Sequence, residues 1–512
     1  MPDKKKDISR SQYVVRNTAV TLLTQLVKNL LGFVSRTVFI WVLGKELLGI
    51  NSLFTEILTV LSFAELGIGN AFVYSLYKPL ARRDTDKLAS LMRLYAKAYK
   101  GIGVLVGVLG LCLLPFLKLL VGDVAVDDSL LYSVFLLFVF NSAVSYFFVY
   151  KTSLIVADQQ NYVVLIAQEA FHLVQVCAQV AVLLLTGDYV LFMLVNVVCT
   201  VGTNAFLAHR ADKMYPFLVE KNAKPLSAEE RREIANNVKS LVVYKLGSTV
   251  LGGTDSIFIS AIINVVTVGF YSNYKLLVDL FTSLGSQVVS SITASVGNVN
   301  ASEGAERKEA VFDGLLCASA WFFGLSAVGL MLLSSDFIRL WVGGDYMLDF
   351  ASVAAIVGAF YVNNMHHACF VYRNTAGLFV YGKYIPIIAS VMNIGLDIAL
   401  GLWIGLPGIF LATIIARMFT YEIVDPLIIY RRVFGKSVLS YYANYLKYTA
   451  IVAAAGAACW AVLRLIPITS WLGFAAGCVA VGSVYCAAFC LLSFKTNGFG
   501  VLRGFARRVL KR

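Results

Sequence analysis

Polar and ionisable side chains recur at helical spacing inside the first long apolar stretch of the chain. Lys28, Gly32, Ser35 and Arg36 follow one another at three- or four-residue intervals or as direct neighbours, so on a helix they share one polar face. A charge at the centre of a bilayer costs about 2.5–3.5 kcal/mol even on the lenient insertion scale. This face therefore predicts a wet cavity within the membrane, lined by cations that could bind anionic groups.

A second polar face lies in the apolar stretch 239–263, where Lys245, Gly252 and Asp255 recur at similar spacing. Two such faces suggest that both stretches line one shared cavity. Alternatively, Lys28 and Lys245 lie near the inner membrane surface and extend their ammonium groups to water.

A weak internal repeat relates these two stretches, because residues 35–40 align with residues 254–259. In this alignment Arg36 and Asp255 occupy equivalent positions and carry opposite charges. We therefore hypothesise that they form an ion pair between two lobes in one transport state. The alternative is that each has a local partner.

Further charged residues in apolar stretches are Glu65, Glu169, Asp279, Arg373, Asp397, Arg417, Glu422 and Asp425. Glu169 and His172 have the i, i+3 spacing of carboxylate-bridged metal sites, but a hydrogen-bonded helix contact explains a single copy as well. His366 and His367 are adjacent and point to different helix faces, which disfavours a two-histidine site. No metal or cofactor is expected.

The composition is that of a membrane protein. Of the 512 residues, 59% are hydrophobic and 14% charged, whereas soluble domains contain about 25% charged residues. The net charge of +13 is spread over short segments between apolar blocks and excludes a nucleic-acid groove. The nine cysteines lie in or beside apolar blocks and form no CxxC pair, so we interpret them as small buried apolar side chains.

Windowed hydropathy predicts about 14 transmembrane helices. If the N-terminus is inside, most Lys and Arg residues fall in inner segments, and the even number of spans returns the C-terminus to the inside. The sequence therefore predicts a multi-pass protein of the cytoplasmic membrane with both termini cytoplasmic.

The predicted fold is all-α and integral to the membrane, with two pseudo-symmetric six-helix lobes around a central cavity and two extra C-terminal helices. The predicted bounds are a cytoplasmic N-terminal segment 1–16, an N-lobe 17–208, a cytoplasmic connector 209–238, a C-lobe 239–435, the extra spans 436–494 and a basic tail 495–512.

Several segments resemble the polysaccharide transporter family, the O-antigen and capsule repeat-unit flippases of the multidrug/oligosaccharidyl-lipid/polysaccharide exporter superfamily. The segments are LGKELLGIN (43–51), ELGIGNA (65–71), SLYKPL (75–80), GFYSNY (269–274), ASVGN (294–298) and YRNTAGLF (372–379). The resemblance implies two six-helix lobes that open alternately to each side. It also implies the transport of an undecaprenyl-diphosphate-linked oligosaccharide across the bacterial cytoplasmic membrane.

A diphosphate head group would be bound by guanidinium forks and ammonium charges in a low-dielectric cleft. The candidates for direct contact are Arg36, Arg373 and Arg417, with Lys28 and Lys245 at the inner entrance. The candidates for charge balance or for a coupling cation are Asp255, Glu65 and Asp279. Expected partners are the lipid-linked oligosaccharide, membrane lipids and other polysaccharide-assembly membrane proteins, with no nucleic acid.

Two other functions are compatible with a chain of this kind. A multidrug or cation antiporter of the same superfamily would favour an acidic cavity. A membrane-embedded glycan polymerase or ligase would need a large outer loop with catalytic charges, and the longest outer segment has about 15 residues, close to a plain connection. A non-enzymatic transporter is therefore expected.

Overall fold

The computed structural model describes residues 10–62, 68–122, 124–218, 226–227, 229, 232, 252–378 and 381–510. These residues form helices and turns, with no strand among them. By their internal contacts they divide into two units, Met1–Ala261 (unit 1) and Ile262–Arg512 (unit 2). The all-α prediction is confirmed.

Unit 1 contains the following helices: α1 (Arg10–Leu61), α2 (Ile68–Arg82), α3 (Thr85–Leu113), α4 (Leu117–Val121), α5 (Asp128–Ala157), α6 (Asn161–Thr186), α7 (Tyr189–Met214) and nearly all of α8 (Asp255–Ile262). Helix α5 packs against α3 and α7, and α1 packs along α6. The Ser260 hydroxyl donates to the Leu120 carbonyl at 2.5 Å and so ties α8 to the end of α4.

The long helix α1 consists of two straight segments that meet at Gly44. Gly44 has φ 80° and ψ −173°, outside the helical region. A residue without a Cβ adopts this conformation at little cost, so the chain changes direction here. The break falls between two spans that hydropathy separates, and residues on both sides of it can face one cavity.

Unit 2 contains the following helices: α9 (Val265–Ser302), α10 (Ala305–Trp341), α11 (Phe350–Met365), α12 (His367–Thr375), α13 (Ile385–Ile404), α14 (Leu406–Phe419), α15 (Tyr421–Ile429), α16 (Leu439–Leu463), α17 (Trp471–Ser493) and α18 (Asn497–Leu510). Two long apolar stretches are interrupted, α11/α12 at His366 and α14/α15 at Thr420. A π-helical turn, Tyr430–Phe434, follows α15.

Pro426 lies inside α15 and explains part of this irregularity. Proline has no N–H, so the carbonyl four residues earlier loses its helical hydrogen bond. That carbonyl belongs to Glu422, and it accepts a hydrogen bond from the Tyr442 hydroxyl at 3.0 Å instead. A side chain of α16 thus satisfies the backbone group that Pro426 leaves open.

Buried tyrosines dominate the core of unit 2, and most of their hydroxyls have polar partners. The hydroxyl of Tyr372 donates to the Lys308 carbonyl at 2.6 Å, and that of Tyr485 donates to the Ala320 carbonyl at 3.0 Å. Such pairing lets a large aromatic ring be buried without an unsatisfied hydroxyl. Helices α16 and α17 pack on each other and on α10, so the two extra C-terminal spans are part of this core.

Ten helices in the described residues are long and apolar enough to cross a membrane. The chain is therefore a multi-pass membrane protein. The predicted total of about 14 spans remains a prediction, because most of the stretch 239–263 lies outside the described residues. The connector 209–238 falls largely outside them as well, and the predicted domain bounds also remain predictions.

Candidate substrate cavity and buried charge cluster

Unit 1 contains a polar cavity of about 290 Å³, which we call the Arg36 cavity. It lies between α1, α5, α6 and α7. Its lining residues are Gly32, Ser35, Arg36, Phe39, Leu48, Asn51, Thr55, Phe138, His172, Gln175, Val176, Gln179, Phe192, Met193 and Asn196. The polar face predicted on the first span from residue 32 to residue 36 borders this cavity.

The far wall of the Arg36 cavity carries three amide side chains linked by hydrogen bonds. Gln175 Nε2 donates to Asn196 Oδ1 at 2.9 Å and to Gln179 Oε1 at 3.5 Å. Gln179 Nε2 in turn donates to the Phe192 carbonyl at 3.3 Å. On α6, Gln175 and Gln179 are four residues apart and share a face, as do His172 and Gln175 at three. Amides both donate and accept, so this wall can pair with hydroxyl groups of a ligand.

Aromatic rings frame the same cavity on α1 and α7. Phe39 makes edge-to-face contacts with Tyr189 and Phe192, with ring centroids 5.4 and 5.3 Å apart. The Tyr189 hydroxyl donates to Asn51 Oδ1 at 3.0 Å, which links α7 to the second segment of α1. The rings restrict the position of their neighbours and give the cavity apolar faces beside its polar wall.

His172 lines the Arg36 cavity, and Glu169 lies one turn before it on α6. His172 Nδ1 and Glu169 Oε2 are 3.6 Å apart, beyond hydrogen-bond distance. Neither atom has a hydrogen-bond partner among the described residues. Within the described residues, no group of three or more His, Cys, Asp and Glu side chains is placed to hold a metal ion.

Unit 2 contains a buried group of charges, His366, Arg373, Glu422 and Asp425, which we call the His366 cluster. Arg373 Nη1 donates to Asp425 Oδ1 at 2.7 Å. The two ring nitrogens of His366 lie 2.9 Å from Glu422 Oε1 and 3.0 Å from Asp425 Oδ2. His366 is 7% exposed and the other three side chains at most 3%.

Tyrosines complete the shell of the His366 cluster. The Tyr441 hydroxyl donates to Glu422 Oε2 at 2.7 Å, and Arg373 Nη2 donates to the Tyr381 carbonyl at 3.3 Å. The ring of Tyr421 meets the His366 ring edge to face at 5.6 Å. Each charged group is therefore compensated locally, which buried charges require.

Four of the other six predicted site residues are among the described residues. Lys28 is exposed on α1, and Arg417 is half-buried on α14 with its guanidinium 5.5 Å from the Tyr421 ring centroid. Asp279 is 59% exposed and pairs with Lys275 one turn away at 3.0 Å. Asp255 lies in the first turn of α8. Lys245 and Glu65 lie outside the described residues.

The structure brings Arg36 to a cavity and Arg373 into an ion pair, while the roles predicted for both remain predictions. The Arg36–Asp255 pair also remains a prediction. Sequence reasoning did not identify the amide wall or the role of His366. Two spacings could have indicated them: Gln175 and Gln179 at i, i+4, and Glu422 and Asp425 at i, i+3.

Comparisons with known proteins agree with this architecture. Residues 14–296, more than half of the chain, match the model of a family described as "Polysaccharide biosynthesis protein". No curated protein matches the chain significantly in sequence.

Three solved structures share the fold at low sequence identity. Lipid II flippase MurJ, in an inward closed conformation, is 16% identical with a TM-score of 0.66, over 94% of this chain and 99% of that one. An inward-facing multidrug resistance MATE family transporter of the MOP superfamily is 12% identical with a TM-score of 0.60, over 80% and 98%. A MOP superfamily transporter from Pyrococcus furiosus, described as having a binding pocket of reverse polarity, is 11% identical with a TM-score of 0.57, over 83% and 97%. The fold is thus that of MOP-type transporters.

Proposed function

This chain belongs to the polysaccharide biosynthesis protein family, and on that premise we propose that it is a flippase for undecaprenyl-diphosphate-linked oligosaccharides. It moves the head group across the bacterial cytoplasmic membrane by alternating access, with both termini on the cytoplasmic side. The chain catalyses no covalent step, and its partners are the lipid-linked substrate, membrane lipids and polysaccharide-assembly proteins.

The observation that carries the proposal is the composition of the Arg36 cavity. A lipid-linked oligosaccharide offers a dianionic diphosphate and many hydroxyls, and both need partners when they leave water. Arg36 supplies a guanidinium that can bind two phosphate oxygens in parallel. The amide wall of Gln175, Gln179 and Asn196 supplies donors and acceptors for hydroxyls.

The cavity volume sets what part of the substrate it can hold. About 290 Å³ is at the lower end of small-ligand sites, which span about 300–1,000 Å³. It can receive the diphosphate and the adjoining sugar, while the polyprenyl tail stays among lipid chains. A polar path through the protein lowers the free-energy cost of moving such a head group across the hydrocarbon core.

A second candidate is a multidrug or cation antiporter of the same superfamily. The shared fold with a MATE family transporter and the carboxylate of Glu169 beside the cavity residue His172 favour it. A lipophilic cation, however, would meet the guanidinium of Arg36 in the same space. Like charges in a low-dielectric site repel strongly, so the flippase assignment fits the described residues better.

The test is ligand-dependent thermal stability of the detergent-purified protein. A ligand that binds the folded state raises its apparent stability by mass action. We expect undecaprenyl diphosphate to raise the melting temperature of the wild type and to act much less on Arg36→Gln. Arg82→Gln, the same substitution at the exposed end of α2, is the matched control and should respond as the wild type does.

One result would reject the flippase assignment, and another would reject the Arg36 cavity as its binding site. The first is that a lipophilic cation such as tetraphenylphosphonium stabilises the protein while the diphosphate lipid does not, which supports the antiporter. The second is that Arg36→Gln and Arg82→Gln lose equal amounts of the lipid response, which places the binding site elsewhere.

A further inference from the structure

We propose that the His366 cluster is a proton-binding site, which holds one exchangeable proton at a joint between broken helices of unit 2. The site lies in unit 2 and shares no residue with the Arg36 cavity. The evidence for this site is the number of hydrogen-bond donors that the geometry of the cluster requires.

The donors of the cluster can be counted atom by atom. Both nitrogens of His366 lie within 3.0 Å of a carboxylate oxygen. A neutral imidazole has one N–H, so its second nitrogen would direct a lone pair at an oxygen lone pair. The remaining oxygens of the two carboxylates already accept from Arg373 and Tyr441. The arrangement therefore requires one proton more than a neutral histidine between two carboxylates would hold, either on the second ring nitrogen or on the carboxylate that faces it.

The net charge of the cluster also indicates that it holds one additional proton. With His366 protonated, two cations face two carboxylates and the sum is zero. Without that proton the sum is −1 in a site where every charged side chain is at most 7% exposed. An uncompensated buried charge is costly, so proton loss must be followed by rearrangement or hydration of the cluster.

The position of the cluster gives this rearrangement a structural consequence. His366 is the residue at which α11 ends and α12 begins. Glu422 and Asp425 lie on α15, directly after the break at Thr420 and beside Pro426. Broken helices are the segments that transporters use to form and alter binding sites. His366, at the junction of α11 and α12, is therefore linked through the extra proton to the carboxylates of α15, and both ends of this link lie at helix interruptions.

The titratable and charged groups in and around the His366 cluster come from four helices. Helix α15 contributes Glu422, Asp425 and Tyr421. Helix α12 contributes Arg373, Cys369 and His367. Helix α16 contributes Tyr441 and Tyr445, and helix α14 contributes Arg417 near His367. The hydroxyls of the tyrosines and the thiol are neutral at neutral pH. The exchangeable proton therefore belongs to the histidine and its two carboxylates.

The expected pH dependence has a definite sign. Above about pH 6.5 an unfolded chain holds no proton on this histidine, whereas the folded cluster still holds one. Folding then takes up one proton, so the ratio of folded to unfolded protein falls about tenfold for each unit of rising pH. The stability from this proton is fully present at lower pH and is lost as pH rises through the release point.

The experiment measures the apparent stability of the full-length protein in detergent from pH 6 to pH 10. The wild type should become less stable with rising pH in a one-proton step. Glu422→Gln should fold and lose this step, because its amide can donate to the unprotonated His366 nitrogen while its carbonyl still accepts from Tyr441. His366→Gln should lose the step too, and His209→Gln, an exposed histidine on α7, should keep it.

A wild type and a Glu422→Gln variant with the same pH profile would overturn the proposal, and so would a step that disappears in His209→Gln. If His366→Gln does not fold, Glu422→Gln alone decides the question. That proton release accompanies a transport step rests on the proposed flippase function. The measurement uses no lipid substrate, so its outcome is independent of whether diphosphate lipids bind near Arg36.

Discussion

Arg36 and Arg373 both lie within apolar stretches of the chain, yet their surroundings differ. Arg36 is half-buried and borders a cavity of about 290 Å³ together with amides and aromatic rings. Arg373 is 3% exposed, pairs with Asp425 at 2.7 Å and donates to the Tyr381 carbonyl. Arg36 borders space that a ligand can enter, whereas Arg373 is enclosed with its carboxylate partner.

This difference shows that a charge inside a membrane protein has two distinct uses. A charge that borders a cavity can recognise an anionic ligand, because the ligand can enter and contact it. A charge with a fixed partner joins helices and can respond to a proton, since removal of either partner leaves the other buried and unpaired. Variants of the two sites should therefore change different measured quantities.

The largest effect is expected from Asp425→Ala. This change leaves Arg373 buried without its carboxylate and removes a partner of His366. Loss of one member of a buried ion pair costs about 3–5 kcal/mol, so thermal unfolding in detergent should shift strongly or the protein should fail to accumulate. The double variant Arg373→Met with Asp425→Leu should recover part of this loss. Equal losses in the single and double variants would contradict the ion-pair account.

A smaller effect, confined to ligand binding, is expected from Arg36→Gln. A hydrogen bond to a charged group contributes about 1.5–3 kcal/mol, so affinity for undecaprenyl diphosphate should fall roughly 10- to 150-fold. Titration of the lipid with a fluorescent or calorimetric readout measures it. Arg373→Gln should instead lower stability. A lipid affinity that falls more for Arg373→Gln than for Arg36→Gln would reverse the assignment of the two sites.

Gln175→Leu should have a still smaller effect, which is confined to binding of the sugar of the substrate. It removes the donor to Asn196 and Gln179 but leaves Arg36 in place. Binding of bare undecaprenyl diphosphate should change little, and binding of the same lipid with an attached N-acetylhexosamine should weaken by about 0.5–1.5 kcal/mol. Equal weakening of both lipids would show that the amide wall does not contact the sugar.

The smallest effect is expected from Asp279→Asn. Its carboxylate is 59% exposed and forms an i, i+4 ion pair with Lys275. Such pairs contribute about 0.3–0.5 kcal/mol, so the melting temperature should barely move. Reconstituted vesicles with an imposed ion gradient test whether Asp279 nevertheless carries a coupling cation, as the sequence suggested. Unchanged lipid transport in this variant would remove it from the coupling residues.

The helices of this protein follow closely from its sequence, while the partners of its charges do not. Hydropathy predicts spans at 129–156, 162–186 and 471–494, and the helices are Asp128–Ala157, Asn161–Thr186 and Trp471–Ser493. Twenty or so apolar residues must form a helix in lipid, because every backbone group needs an internal partner. That requirement is local and can be read along the chain.

The polar face that includes Arg36 was also predictable, since residues three and four apart share a helix face. The opposite wall of the cavity was not, because Asn196 lies more than 150 positions from Arg36. The two extra C-terminal helices illustrate the same point. From the sequence they look like an addition to two lobes. In the structure, however, the Tyr441 hydroxyl of α16 donates to the Glu422 carboxylate, and the Tyr442 hydroxyl donates to the Glu422 carbonyl that Pro426 leaves without a helical partner.

The sequence alone therefore determines that this protein is helical and membrane-embedded, that it belongs to a polysaccharide biosynthesis family, and that Arg36 lies on a polar face. Only the tertiary structure decides that Arg36 meets an amide-lined cavity and that Arg373 meets Asp425. The physical reason is one of range. Hydropathy and helical periodicity act over a few turns of chain, whereas hydrogen bonds and ion pairs act between atoms about 3 Å apart that can lie anywhere in the sequence.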